Sequence, residues 1–544
     1  MAIMETMVKN RTDRGYAVGV QEFDRIREQG SVYIDKTAYV YKMVTTDAVN
    51  FFLSRPRRFG KSLLVDTLRC YFEGRKELFE GLAIYDLEKE WKKYPVIRLD
   101  LSNGKYYDEK LVHGTIDFIL EQQEKRFGIT ESKDPENYEN RLSRLIQTAH
   151  DQTGEQVVVL IDEYDAPMLD SITDPELQKA IRNRIRNLFS PLKAQSQYLR
   201  FVFLTGISKF SQLSVFSELN NLQQLTFDPA YEAICGITEE ELLTQMKPDI
   251  ELLRETLNTD YARWGIHYEY DDMVAELKHW YDGYHFSDKF TDIYCPWSLI
   301  NAFSMKRIEN FWFSTGTPTS LINILRTQDI DMPDLEGYQA VMEQFNAPTE
   351  RITDPIPVLF QSGYLTLKDY NPFAREWTLG FPNEEVYRGF ARCLYQYYCE
   401  TYVGSQNRFS AAYRSLGNKQ TTIDDFLRYM QQFFLAMPYD IMRKNEKHYQ
   451  SILYALLVSI NADVSAEGRT ATGRMDITMR LKDAIYILEL KYDKSSDAAL
   501  DQIKRKKYAA AFAQDPRPVF AIGLNFSPAT HTLDDGWQVE KIEK

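Results

Sequence analysis

The sequence has few cysteines, no long apolar run and no low-complexity segment. Its 544 residues include only five cysteines and no CxxC pair, which predicts reduced thiols and excludes a disulfide framework or a cysteine-based zinc site. The longest apolar runs, such as VVVLI at 157–161, are far shorter than the roughly 20 residues of a membrane-spanning helix. The first residues contain no apolar segment typical of a secretory signal. We therefore expect a cytoplasmic protein with no membrane partner.

An overall excess of basic charge is also missing, since the formal net charge is −14. Taken alone, this value argues against a nucleic-acid partner, but the charge is unevenly distributed. Residues 441–544 contain 16 Lys and Arg against 14 Asp and Glu, with a KRKK cluster at 504–507. The C-terminal segment is therefore slightly basic, which permits contact with nucleic acid there.

The chain is too long for a single core, and its pattern of apolar and polar residues changes twice, near residues 235 and 437. Within residues 1–235, from about 49 to 227, helical stretches alternate with continuously apolar runs at 49–54, 95–101, 157–161 and 200–205. Runs that are apolar on both faces favour parallel strands buried between helices. This first segment is therefore predicted to form an α/β domain with a parallel sheet.

The other two segments are predicted to be helical and α/β, respectively. Residues 236–437 show helical patterns interrupted by aromatic-rich pieces, which favours a helical, winged-helix-like connecting region. The aromatic residues at 279–313 could stack on bases, but their helical spacing is more typical of a core. Residues 438–544 predict a small α/β domain with strands at 475–481, 484–492 and 518–524 and helices at 446–460 and 499–513.

A phosphate-binding loop is indicated by SRPRRFGKS at 54–62, which follows an apolar strand and opens a helix. Backbone N–H groups at the helix start would bind phosphates, Lys61 would reach the β- and γ-phosphates, and Ser62 would hold Mg²⁺. Arg55 stands where the pattern G-x-x-x-x-G-K-[ST] has its first glycine, and the loop arginines could add charge to the site. The predicted nucleotide ligands in this loop are Arg57, Arg58, Phe59, Gly60, Lys61 and Ser62.

Acidic residues after the strand at 157–161 complete the predicted nucleotide site. Asp162 would orient Mg²⁺, and Glu163 would act as the catalytic base that polarises the attacking water. Thr205, at the end of another apolar strand, is predicted to contact the nucleotide. Ser208 and Lys209 follow it, and capping or turn roles suit these three residues as well as catalysis does.

Residues 10–235 resemble the AAA-ATPase-like family of bacterial proteins. The similarity is carried by RPRRFGKS, LIDEYD and LTGISKF, and by a YxDKT segment at 33–37. In that family the phosphate loop lacks the first glycine, so Arg55 is implied to be a family trait, and ATP and Mg²⁺ are the implied ligands. The YxDKT segment either covers the nucleotide base or forms a plain structural turn.

A second constellation, D-x12-E-x-K, is formed by Asp476, Glu489 and Lys491. The period of two along a strand places Glu489 and Lys491 on one face, and a hairpin could bring Asp476 beside them. Two carboxylates and a lysine suit a Mg²⁺ site that activates water against a phosphodiester. A solvated strand face would produce the same pattern without any chemistry.

This constellation resembles the PD-(D/E)XK nuclease superfamily, in the form that follows AAA-ATPase-like domains. The resemblance implies catalytic roles for the three residues just named, with both carboxylates as metal ligands. Glu446 would add a helical acid to the metal shell, and Gln502 and Tyr508 match the associated Q-x5-Y helix.

The sequence therefore predicts an α/β multidomain protein. A P-loop ATPase domain at 1–235 would be joined by the connecting region at 236–437 to a restriction-endonuclease-like domain at 438–544. The expected partners are ATP, Mg²⁺ and nucleic acid, with DNA favoured over RNA, and a homo-oligomer is left open. The expected activity is ATP hydrolysis that regulates a Mg²⁺-dependent nuclease. The alternative is a nucleotide-switched binding or signalling ATPase with a catalytically inert C-terminal module.

Overall fold

The computed structural model describes residues 15–102, 104, 106–130, 137–171, 174–209, 222–313, 332–345, 355–398, 405–437, 445–470 and 473–544. The chain divides into two compact units, of which the first comprises Met1–Ile324 and Gly337–Val386 and the second Leu325–Glu336 and Tyr387–Lys544. The boundaries of the three predicted domains stay a prediction. None of the helices in the described part of the chain combines the length and hydrophobicity that a membrane span requires.

The first unit contains the predicted parallel sheet. Its strands are β1 (Asn50–Ser54), β2 (Val96–Asp100), β3 (Val157–Asp162), β4 (Leu199–Gly206) and β5 (Leu222–Gln224). They lie in the order β2-β3-β4-β1-β5, and each neighbouring pair is parallel. The first four strands coincide with the predicted apolar runs. The prediction missed β5 because its sequence, LQQ, is short and polar.

Helices accompany this sheet, as the alternating pattern predicts. They are α1 (Phe23–Glu28), α2 (Thr37–Val44), α3 (Lys61–Phe72), α4 (Ala83–Leu87), α5 (Glu109–Arg126), α6 (Tyr138–Thr153), α7 (Ala166–Asp170), α8 (Pro175–Phe189) and α9 (Pro191–Ala194). On one side of the sheet, Leu142 and Leu145 of α6 and Ile181 of α8 join Val159 and Ile161 of β3 in a fully buried core. This packing fixes the strand ends that carry the predicted nucleotide site.

The remainder of the first unit is mainly helical with small antiparallel sheets. The helices are α10 (Glu239–Gln245), α11 (Lys247–Tyr261), α12 (Tyr270–Tyr281), α13 (Pro296–Met305) and α15 (Ile356–Gln361), while α14 (Met332–Leu335) belongs to the second unit. Strand β6 (Ile237–Thr238) pairs with β7 (Ile293–Tyr294), and a three-stranded sheet has the order β8 (Tyr338–Val341), β10 (Glu376–Gly380), β9 (Thr366–Asn371). Most aromatics of the predicted core pieces are buried, among them Tyr281, Tyr284 and Tyr294.

The second unit is built around a mixed five-stranded sheet. Its strands, in spatial order, are β11 (Asp463–Thr470), β12 (Gly473–Arg480), β13 (Ile485–Tyr492), β14 (Val519–Phe526) and β15 (Gln538–Ile542). Only β13 and β14 are parallel. The helices are α16 (Glu384–Tyr398, which begins in the first unit), α17 (Ser405–Gly417), α18 (Ile423–Leu435), α19 (Glu446–Ser459) and α20 (Ser496–Arg505).

The predicted basic helix at 499–513 is wrong in its length. Helix α20 ends at Arg505, and a short 3-10 turn follows at Tyr508–Phe512. Lys507 adopts a left-handed conformation with φ 50°, which breaks the helix and lets the Tyr508 side chain enter the core. The hydrophobic pattern continued through this break, so it gave no sign of it.

Candidate functional site

The predicted phosphate loop connects β1 to α3. Its backbone has positive φ at Arg58 (70°) and at Gly60 (85°), and helix α3 begins directly afterwards at Lys61. A Cβ at Gly60 would meet nothing within 4 Å, so it is the left-handed backbone rather than space that favours glycine there. The N–H groups of the first helical turn have no partners within the helix, and together with the helix dipole they make this end suitable for an anion.

A cavity of about 710 Å³ lies over this loop. Its volume falls within the roughly 300–1,000 Å³ of small-molecule sites. Seven of the predicted site residues line it: Arg57, Arg58, Phe59, Gly60, Lys61, Ser62 and Glu163. Most of the remaining lining comes from 32–34, which overlap the YxDKT segment, and from 16–21, 234–237 and 296–301, which the motifs did not indicate. The helical part of the first unit therefore supplies one wall of the candidate nucleotide pocket.

Lys61 and Glu163 meet at the floor of this cavity. The Lys61 ammonium lies 3.2 Å from Glu163 Oε1 and donates to the Pro56 carbonyl at 3.2 Å, and its side chain is only 3% exposed. Glu163 has φ 49°, an uncommon conformation for a non-glycine residue, which turns the chain sharply after β3. The structure thus brings the predicted phosphate-binding cation and the predicted catalytic base within contact distance.

Asp162 is the last residue of β3, is 1% exposed and is not among the residues that line the cavity. Both of its carboxylate oxygens are buried and make no hydrogen bond within the described residues, and the Arg98 guanidinium lies 3.9 Å from Oδ2. Burial, with the charge of Glu163 as a second cause, raises the pKa of Asp162 to about 6. A buried carboxylate with two unused oxygens fits a divalent cation, because such an ion replaces the lost hydration.

The residues after β4 are tied to the backbone of the fold. The Thr205 hydroxyl donates to the Leu53 carbonyl at 2.8 Å, and neither Thr205 nor Ser208 lines the large cavity. The N–H of Ser208 donates to Asp165 Oδ2 at 2.5 Å. Lys209 lines a different, smaller cavity. The capping and turn roles left open for these residues describe their observed contacts, while a nucleotide role for Thr205 stays a prediction.

Arg55 does not add charge to the candidate site, contrary to the suggestion made from the sequence. Its side chain points into the protein and is 1% exposed. The guanidinium donates to the carbonyls of Ser54, Thr226, Tyr231 and Glu232 and stacks on Phe286 at 4.1 Å. Arg55 therefore fixes the start of the loop to the segment 226–232 of the same chain. The position of Arg55 in the motif did not indicate this role.

The other loop residues divide into buried and accessible groups. The Phe59 side chain is 1% exposed and packs on Tyr284 and Phe286, so only its backbone remains for a ligand. Arg57 is exposed, whereas Arg58 is partly buried and stacks on Trp297 with 4.0 Å between the guanidinium carbon and the ring centroid.

The YxDKT segment has the contacts of a structural turn. Asp35 accepts hydrogen bonds from the N–H groups of Thr37 and Ala83 at 2.8 and 2.7 Å. Lys36 is buried and contacts both carboxylate oxygens of Glu241 at 2.6 Å. Tyr33 and Lys36 also line the large cavity, so the segment is both a turn and part of the pocket wall.

The second predicted site forms where β12 and β13 pair as an antiparallel hairpin, as expected. Lys491 on β13 is the centre of the cluster, with its ammonium 3.1 Å from Glu446 Oε1, 3.2 Å from Glu489 Oε1 and 2.7 Å from the Leu490 carbonyl. Asp476 on β12 accepts the Leu490 N–H at 2.7 Å. The structure therefore brings together all four predicted residues, although they are spread over 45 positions in the sequence.

Glu489 is fully buried within this cluster. Its Oε1 atom accepts hydrogen bonds from Lys491 and Gln502, whereas Oε2 is buried and has no hydrogen-bond partner in the described residues. Burial, together with the charge of Asp476, raises the pKa of Glu489 to about 8. Among the described residues no three His, Cys, Asp or Glu side chains form a ready metal cluster. The unused Oε2 atom nevertheless fits a hard cation that would take its other ligands from backbone and water.

The helix after β13 supports this carboxylate. Gln502 on α20 donates to Glu489, and its neighbour in the predicted Q-x5-Y pattern, Tyr508, is buried beside the same carboxyl groups. From α19, the Gln450 amide donates to the Asp476 carbonyl at 3.0 Å. The sequence motifs indicated Gln502 and Tyr508 but gave no sign of Gln450, which belongs to no recognisable pattern.

Comparison with known proteins identifies both of the segments in which these candidate sites lie. A family model described as "Predicted AAA-ATPase" matches residues 17–216, and a model of the PD-(D/E)XK nuclease superfamily matches residues 444–536. A protein from Azotobacter chroococcum mcd 1, described as "Uncharacterized protein in vnfD 5'region", is 33% identical over 538 residues. That alignment covers 96% of this chain and 98% of the relative, so the two proteins share both segments and the region between them. The chain therefore belongs to the AAA-ATPase-like family, in a form that carries a PD-(D/E)XK nuclease superfamily domain in its C-terminal part.

Proposed function

We propose that this protein binds and hydrolyses ATP with Mg²⁺, and that this reaction regulates a Mg²⁺-dependent nuclease site in its C-terminal part. The observation that carries the first half is the contact of Lys61 with Glu163 at the cavity, next in the chain to the buried Asp162 carboxylate, whose oxygens make no hydrogen bond among the described residues. The second half is supported by the convergence of Asp476, Glu489 and Lys491. We favour DNA over RNA as the substrate and the cytoplasm as the location.

Each residue of the first site has a chemical task. The N–H groups at the start of α3 and the Lys61 ammonium would bind the β- and γ-phosphates. Ser62 and Asp162 would hold Mg²⁺, which supplies charge neutralisation for the phosphoryl group when bound. Lys61 would exchange its contact with Glu163 for a phosphate oxygen, which leaves the Glu163 carboxylate available to accept a proton from water.

The second site suits phosphodiester hydrolysis. Asp476 and the unused oxygen of Glu489 would hold Mg²⁺, with Glu446 at the edge of the site. The Lys491 ammonium lies between these carboxylates and would position water or stabilise the negative charge that develops on the phosphate. Gln502 keeps Glu489 in place through its amide.

Phosphate release from ATP in the presence of Mg²⁺ tests the first site. We expect Lys61→Ala to weaken nucleotide binding and Glu163→Gln to retain binding while slowing hydrolysis by about 10²- to 10⁴-fold, the usual value of a general base. Lys193→Ala, which removes an exposed lysine of α9 that does not line the cavity, is the matched control and should keep activity. Unchanged phosphate release in both site variants would contradict the ATPase assignment.

Cleavage of plasmid and single-stranded DNA, with and without ATP, tests the second site. We expect Mg²⁺-dependent cleavage that disappears in Asp476→Ala and Lys491→Ala and persists in Lys482→Ala, which changes an exposed lysine between the same two strands. A response of cleavage to ATP would support regulation. DNA binding without cleavage under all conditions would instead favour the nucleotide-switched binding protein.

A further inference from the structure

Trp297 connects the phosphate loop to a buried carboxylate in the helical part of the first unit. One face of its ring carries the Arg58 guanidinium at 4.0 Å, and its indole N–H donates to the Phe311 carbonyl at 3.2 Å. Phe311 in turn donates its own N–H to Glu385 Oε1 at 2.6 Å. A continuous series of contacts therefore runs from the candidate nucleotide pocket to Glu385.

Glu385 lies in the first turn of α16 and holds that helix start in place. It is fully buried, and its Oε1 atom also accepts the Trp312 N–H at 2.8 Å. Its backbone carbonyl accepts the Asn310 amide at 2.7 Å. The chain passes into the second unit two residues later, at Tyr387. A change in the hydrogen bonds of Glu385 would thus act on the first turn of α16, the helix through which the chain enters the second unit.

The charge state of Glu385 depends on its surroundings. Burial raises its pKa to about 7, while hydrogen bonds from Ser298, Trp312 and Phe311 and, with the smallest effect, the positive charge of Arg58 act in the opposite direction. If the Arg58 guanidinium moved away, its positive charge would no longer stabilise the carboxylate of Glu385, and the neutral carboxyl group would be favoured. The neutral group is a weaker acceptor for the N–H groups of Phe311 and Trp312.

We propose that Arg58, Trp297 and Glu385 form a relay that reports nucleotide occupancy to the start of α16. The inference rests on the proposed binding of ATP. Arg58 and Trp297 both line the pocket, and Arg58 is the cation of the three that a polyphosphate would attract, so phosphate and the Trp297 face compete for one guanidinium. The phosphate loop would therefore have two arrangements, one with Arg58 on the Trp297 ring and one with Arg58 on phosphate. Coupling between two sites requires such an element with two states. Trp297 and Glu385 act as positioning residues, because neither takes part in the reaction.

Hydrogen exchange of the full-length chain tests this relay. Peptides covering Phe311–Trp312 and the first turns of α16 are followed with and without Mg²⁺ and a non-hydrolysable ATP analogue, whose affinity is measured in parallel. In the unaltered protein we expect nucleotide to accelerate exchange at these amides by about fivefold or more, the lower end of typical coupling strengths. The readout is the response to nucleotide, which a purely structural role of these residues would not change.

Two variants and one control complete the test. Asn310→Ala removes the amide that donates to the Glu385 carbonyl, and Glu385→Gln keeps the size of the side chain, so a folding defect in one does not decide the result. Both should bind nucleotide and respond less than about twofold. Trp264→Leu removes a ring that stacks on Arg263 at 3.7 Å and is 57% exposed, and it should respond like the unaltered protein.

The possible results separate the two proposals. Nucleotide binding without any change at Phe311–Trp312 in the unaltered protein would overturn the relay and leave the ATPase proposal standing. A full response in both site variants would also overturn the relay. Failure of the unaltered protein to bind nucleotide would overturn both proposals together.

Discussion

Replacing Arg55 distinguishes a structural role from a phosphate-binding role at the first position of the phosphate loop. Its guanidinium is bonded to four backbone carbonyls, and the residue is 1% exposed. In Arg55→Ala these acceptors lose their donor inside the protein. At about 1 kcal/mol for each unpaired carbonyl, the low end of the usual range, the loss is about 4 kcal/mol in the free energy of unfolding.

Differential scanning calorimetry with parallel ATP-binding measurements is the assay. For a unit of this size about 2 °C is lost per kcal/mol, so the melting temperature of the first unit should fall by about 8 °C. Arg55→Lys should also be destabilised, because a single ammonium cannot reach four carbonyls arranged around a planar fork. ATP should still bind to both variants below their melting temperatures.

Arg57→Ala is the matched control, since this neighbouring arginine is exposed. Its effect on the free energy of unfolding should stay within about 0.5 kcal/mol, the usual size for a surface substitution. The reasoning is refuted if Arg55→Ala melts like the unaltered protein but loses ATP affinity, and if Arg55→Lys restores that affinity. Such a result would mean that Arg55 contacts phosphate through its charge.

Two further predictions follow from the same region. Gly206→Ala should lower the free energy of unfolding by roughly 1–3 kcal/mol, because a Cβ there would collide with the Asp165 carboxylate. Gly114→Ala, with open space on an exposed part of α5, should raise the free energy of unfolding by about 0.5–1 kcal/mol, and thermal melts of both variants measure these effects. Asp162 has its pKa raised from 3.8 to about 6, so the folded state holds the proton more tightly and ionisation opposes folding increasingly as the pH rises through that window. Asp162→Asn should therefore be more stable than the unaltered protein at about pH 7.5, by up to about 3 kcal/mol, and lose this advantage near pH 4. It should also lose Mg²⁺-dependent phosphate release, and equal melting of the two proteins at both pH values would contradict the raised pKa of Asp162.

The linear motifs predicted the sheet, and they indicated residues that the folded chain brings close together. Apolar runs of four strands are visible because buried parallel strands need hydrophobic side chains on both faces. The pairing of Asp476 with Glu489 and Lys491 followed from the period of two and a short connection. Short polar or edge strands such as β5 and β15 were missed, because half-exposed strands carry no continuous apolar signal.

The burial and the contacts of individual side chains were harder to predict. Arg55 and Arg58 stand three positions apart in one loop, yet one is buried in carbonyl contacts and the other lines the cavity. Phe59 was predicted as a ligand, but its ring packs on Tyr284, more than 200 residues away in the chain. Such outcomes depend on segments that are distant in sequence, and no local pattern encodes them.

The chemical groups of both candidate sites can be recognised in the amino-acid sequence alone: a phosphate loop, an acidic strand end and a D…ExK hairpin, each formed by residues that lie close together in the chain. The tertiary structure alone decided which of those residues face a common cavity and what covers them. Trp297, the four carbonyls around Arg55 and the buried environments that raise the pKa values of Asp162 and Glu489 all arise from long-range packing. The reason is physical, because motifs record local backbone and chemical requirements, whereas burial and electrostatic fields are sums over neighbours that only the folded chain brings together.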